Sequence, residues 1–195
     1  TLTAAASIDA ELPSVYRNQA RLLLSQSEPA AALERAQMGC TRSPAELESL
    51  LVLAACLGAN QKDSEALSLI ETILKAKSTY AEAYATRALI RSRKKDAPAA
   101  INDAEVAVSL KPHFTPIWQL LGSLYQQSGE LSSAVEALRR AHNNEPTNAV
   151  LMLQLGTFLL QNNNSREAIT IFERAKELAP ENAVAWTNLG VALQQ

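Results

Sequence analysis

Large apolar and small residues recur along this chain on a fixed ruler of 34 residues. Thr115 to Asn148 aligns without gaps with Ala149 to Asn182, and Ala183 onward begins the same pattern again before the chain stops. Carried backwards, the ruler marks 81–114, 47–80 and 13–46, also without insertions. The fourth place of each repeat holds Tyr16, Leu50, Tyr84, Trp118, Met152 and Trp186, all with large apolar bodies. The eighth holds Ala20, Ala54, Ala88, Gly122, Gly156 and Gly190, and the twentieth holds Ala32, Ala66, Ala100, Ala134 and Ala168. Small residues at two such places predict two helices per repeat that approach closely, with the large residues filling the space between repeats.

Start and stop signals agree with that ruler. Pro44, Pro112, Pro146 and Pro180 fall at the thirty-second place, where proline ends a second helix; Ser78 is the exception. Asp63-Ser64, Asp96-Ala97-Pro98, Ser128-Gly129-Glu130 and Asn164-Ser165 sit where second helices begin and offer N-cap side chains. The expected fold class is therefore all-α, built of 34-residue helix–turn–helix repeats. Residues 13–46, 47–80, 81–114, 115–148 and 149–182 form five of these, 183–195 the first helix of a sixth, and 1–12 an N-terminal extension.

Composition supports this reading. Hydrophobic residues make up 47% and charged residues 19%, with only 6 Gly, which suits a folded soluble protein rich in helix formers. The net charge of −2 offers no field for nucleic acid, and no apolar run reaches the ~18 residues a membrane span requires. Residues 75–111 carry a local excess of +4, read as a solvated face. Localisation is left open between cytoplasm, which is favoured, and periplasm, which would require a removed signal peptide; the chain begins at Thr1.

The pattern resembles the tetratricopeptide repeat family over about 180 of the 195 residues. It is fullest at Trp118-Leu121-Gly122-Tyr125 and Leu155-Gly156-Leu159-Ala168-Phe172-Ala175-Pro180, and weakest in 13–46, where Gln19 and Ala36 replace large apolar residues. The resemblance implies an α–α superhelix, or solenoid, whose first helices line a concave groove for a peptide or partner protein. On that geometry the groove residues are Arg17, Arg21, Leu51, Glu82, Leu89, Arg93, Gln119, Ser123, Gln126, Leu153 and Thr157. They read as basic, then apolar, then amide-rich, so a partner with an acidic segment is expected. Neither the family's carboxylate clamp nor its asparagine ladder is expected, because the sixth places hold Asn18, Val52, Thr86, Leu120, Gln154 and Asn188.

Chemistry of other kinds is thinly represented. No metal spacing, phosphate loop or nucleophile–base grouping appears, so no enzyme, cofactor or metal is expected. Arg87 and Arg91 stand where Leu or Tyr is usual, and Asp103 is expected to pair with Arg87. Cys40 and Cys56 are expected as free thiols. The function that follows is a scaffold or adaptor. Its rivals are the substrate-presenting region of a larger enzyme, such as a glycosyl- or sulfotransferase, and a scaffold that self-associates.

Overall fold

The computed structural model describes residues 12–194, so the proposed extension, apart from Leu12, lies outside the described residues. Among the described residues there are eleven α-helices and no strand. They are α1 Pro13–Ser25, α2 Pro29–Arg42, α3 Leu47–Ala59, α4 Asp63–Ala76, α5 Ala81–Arg93, α6 Ala97–Leu110, α7 Thr115–Gln127, α8 Leu131–Asn144, α9 Ala149–Gln161, α10 Ser165–Leu178 and α11 Ala183–Leu193. A first helix of 13 residues and a second of 14, joined by short turns, recur from α1 to α10.

The helices group into two compact units, Thr1–Lys94 and Lys95–Gln195, so the division falls inside the stretch 81–114. In the first unit, Ala20, Ala32, Ala36, Val52 and Cys56 form one core cluster. A second joins Leu51, Ala54, Leu57, Ala66, Ile70, Ile73, Ala83 and Ile90. In the second unit, Val135, Leu138, Leu155, Leu159, Ala168, Phe172, Leu189 and Ala192 share a core. Removing apolar area of this kind from water stabilises the fold by about 25 cal/mol per Å².

The small residues at the eighth place let the helices touch. A Cβ on Gly156 would lie 2.4 Å from the Phe172 ring, and one on Gly122 would lie 2.9 Å from Leu138. Helix ends follow the prolines: α2, α6, α8 and α10 each stop two residues before Pro44, Pro112, Pro146 and Pro180, since the residue before proline is pushed out of the helical region. The caps differ from expectation. Asp96 accepts from the Ala99 N–H, but the Asp63, Ser128 and Asn164 side chains do not cap: Asp63 is already the first residue of α4, and Asn164 donates to Glu167 instead. Asn148 and Asn182 cap the first helices α9 and α11.

Both cysteines are free thiols. Burial pushes Cys56 up to about 11, with the nearby Cys40 adding to the effect. Asp103 is fully buried, and Arg87 stacks on Tyr84 at 5.3 Å.

Candidate functional site

In the N-terminal unit the first helices α1, α3 and α5 carry the expected groove residues. Arg17 is not a free cation: its Nη1 meets Glu46 at 2.5 Å and Glu48 at 3.2 Å, and its side chain keeps only 14% exposure. Glu46 also accepts from Ser49 at 2.5 Å, a bond that, with Arg17, holds its carboxyl below the usual range. Arg93 is likewise engaged, donating to Asp63 at the start of α4. Leu51 is in the core with 7% exposure rather than on an open face, because its place on α3 points toward α4 and α5. Arg21 and Leu89 are exposed and Glu82 is half-buried. Two of the three basic groove residues are therefore paired, Arg17 with Glu46 and Glu48 and Arg93 with Asp63.

Sequence reasoning missed Tyr80. Its phenol is pushed up first by burial and then by Glu48 and Glu82, while Arg21 and Arg17 act in the opposite direction. Tyr80 thus lies within electrostatic reach of charged groups on α1, α3 and α5. The sequence carried only a weak signal, since at the thirty-fourth place Tyr80 and Phe114 are aromatic while Glu46, Asn148 and Asn182 are polar.

The C-terminal unit carries the amide-rich part. Gln119 Nε2 donates to Gln154 Oε1 at 2.9 Å, and Gln126 Nε2 donates to Gln161 Oε1 at 2.6 Å. These two pairs tie α7 to α9 like rungs. One step further, Asn188 Nδ2 on α11 reaches Thr157 Oγ1 at 3.5 Å. Ser123 is exposed between the two glutamines of α7, and Leu153 and Thr157 are half-buried on α9. Gln119, Ser123, Gln126, Leu153 and Thr157 thus share one face. The partners Gln154 and Gln161 complete it and were not foreseen as rungs. A glutamine side chain has two N–H donors and an oxygen with two lone pairs, so each rung leaves donors and acceptors for a ligand.

Among the described residues, no group of three or more His, Cys, Asp or Glu could hold a metal ion, and no helix is long and apolar enough to cross a membrane.

Paired helices at a 34-residue period, presenting polar faces on their first helices, define a helical repeat protein. Over residues 127–190 the chain matches the tetratricopeptide repeat family model. It is 33% identical over 75 residues to bacteriophage adsorption protein A of Escherichia coli (strain K12), which covers 38% of this chain but only 8% of that protein's length. Among solved structures, it resembles a thermophilic TPR protein of Thermus thermophilus at 20% identity and a TM-score of 0.70, covering 94% of this chain and 100% of that one. It also resembles YrrB, described as a TPR protein with an unusual peptide-binding site, at 18% identity, a TM-score of 0.62 and 95% coverage of both chains. At such identities these two likenesses show the fold alone.

Proposed function

We propose that this chain is a protein-interaction scaffold that holds an extended peptide, or a segment of a partner protein, along the first-helix faces. The observation that carries the reading is the pair of glutamine rungs, Gln119–Gln154 and Gln126–Gln161. Amides held in line by one another keep their remaining donors and acceptors oriented, which suits the backbone N–H and C=O groups of an extended chain. That YrrB is described by a peptide-binding site is consistent with this use of the fold. The reading assigns the chain no reaction of its own.

Selection from a displayed random peptide library tests it. The parent should enrich binders that a Gln119→Ala/Gln126→Ala variant with an unchanged helical spectrum loses by about tenfold or more, as removing two ligand hydrogen bonds implies. Binders retained equally by the variant would overturn the reading. The Asp and Glu content of the selected peptides decides whether the partner carries an acidic segment. Arg21 is the exposed guanidinium such a segment would reach.

A second reading has its own observation. Val184, Trp186, Val191 and Leu193 on α11 are each between 44% and 65% exposed, which favours self-association through that helix. Light scattering that shows only monomer at every concentration would remove it.

A further inference from the structure

A different face of α7 opens into a cleft of about 680 Å³ within the C-terminal unit, away from the glutamine rungs. Its walls are α6 and α8, with Val108 and the buried Leu121 at its floor. Volumes of this order hold small ligands or a partner's side chain. Trp118 and Tyr125 supply aromatic surface, and Glu105 and Glu136 supply carboxylates. The Trp118 indole N–H is already committed, donating to the Pro112 carbonyl at 2.8 Å, so the ring is fixed and offers a ligand its face rather than its donor.

The rest of the chain shows what such a ring takes. Rings at the fourth place of other repeats carry cations from the chain itself: Arg42 lies 4.7 Å from the Tyr16 centroid, Arg87 lies 5.3 Å from Tyr84, and Lys176 lies 4.8 Å from Trp186. Trp186 repeats the Trp118 arrangement closely, with its own N–H on the Pro180 carbonyl at 2.9 Å. Lys176 precedes Trp186 by the same interval at which Val108 precedes Trp118. At Trp118, therefore, the residue that would bring the cation is a valine. Among the described residues no Lys or Arg lies over that ring.

Charge around the cleft points the same way. Glu105 accepts from the Tyr125 hydroxyl at 2.5 Å, which leaves its other lone pairs available. Arg140 is drawn to Glu136 on its own helix, Nε to Oε1 at 2.9 Å. Two carboxylates thus face one guanidinium.

We infer that this cleft receives one Lys or Arg side chain of a basic partner peptide, with the cation over Trp118, its N–H groups directed to Glu105 and Glu136, and its stem along Val108 and Leu121. An aromatic face and paired carboxylates both favour a cation, and a long aliphatic stem packs on apolar walls.

The test uses a Trp186→Phe parent, in which Trp118 is the sole tryptophan. Its indole N–H resonance is followed by NMR as acetylated, amidated Gly-Ala-Lys-Ala-Gly is added. The same titration is run with the Nε-acetyl-lysine peptide and with Gly-Ala-Glu-Ala-Gly. The lysine peptide should give a saturable shift and the other two none. Glu105→Gln/Glu136→Gln should weaken its binding by about threefold or more, the scale of one cation–π or ion-pair contact. Val108→Lys, which copies the Lys176 arrangement, should abolish it. Gln119→Ala, on the rung face, should leave it intact, so this inference and the peptide-groove reading fail separately. No saturable shift, an equal shift from the neutral or acidic peptide, or unaltered binding by both well-folded variants would overturn it.

Discussion

Gly156 and Gly190 occupy the same place in successive repeats, yet their surroundings differ. A Cβ on Gly156 meets the Phe172 ring carbons at 2.4 to 2.9 Å, and one on Gly190 meets nothing within 4 Å. Gly156→Ala should destabilise by about 1–3 kcal/mol, because a buried aromatic ring has to move. Gly190→Ala should stabilise by about 0.5–1 kcal/mol through the better helix propensity of alanine. Thermal melts of both variants check this; equal shifts would show that the eighth place is small for some other reason. His142 offers a second residue-scale outcome. Burial lowers its pKa from the ordinary 6.5, and its Nδ1 is buried without a hydrogen-bond partner. The folded state therefore resists protonation more than the unfolded one. The stability this contributes is full above pH 6.5 and is lost as pH falls through the lower folded value. The parent should lose melting temperature below that pH faster than His142→Gln does, and a constant difference between them across pH would contradict it. At this scale the sequence was least informative. It placed Arg17, Leu51 and Arg93 on the right helices, but it could not show that Glu46 and Glu48 hold Arg17, that Asp63 holds Arg93, or that Leu51 turns into the core. Those facts depend on neighbours about 30 residues away.

At the scale of the element, the period was legible and the turns were not. Each turn between the two helices of a repeat places one residue in the left-handed region: Ser27, Gln61, Lys95, Gly129 and Asn163, with φ between 58° and 80°. Only one of the five is glycine. A side chain in that region crowds the following carbonyl, so Gln61→Gly should stabilise by about 0.5–1 kcal/mol, net of the added freedom of the unfolded chain. Chemical denaturation reads this directly, and a loss of stability would mean the Gln61 side chain makes contacts worth more than the strain. The strain explains why turn chemistry was hard to read: a conformation that normally announces itself by glycine is held here by the two helices it joins. Caps were misread for a related reason. Asp63 falls one place late, as the first residue of α4, and Asn164 sits at the N-cap but its side chain donates to Glu167, so only Asp96 among the second-helix candidates accepts from a helix N–H.

At the scale of the whole molecule, the fold class follows from repetition. Small residues at fixed places and prolines at fixed stops specify one helix pair, and 34-residue recurrence specifies a stack of them. The family model and the solved structures bear out that class. The candidate face was legible as a set of helical positions, since first helices repeat their outward places. Its chemistry was only half legible: the amides were visible as a composition, while their pairing into rungs needed the spacing of α7 against α9. The central claim, that a peptide lies along this rung face, is tested most directly by photocrosslinking. A benzoylphenylalanine replaces exposed Ser123, between the two glutamines of α7, or exposed Glu173 on α10 as a control, and a library-selected peptide is added. The account predicts a crosslink from position 123 that unlabelled peptide competes away, and none from position 173; a crosslink at 173 with none at 123, or equal crosslinking at both, would contradict it.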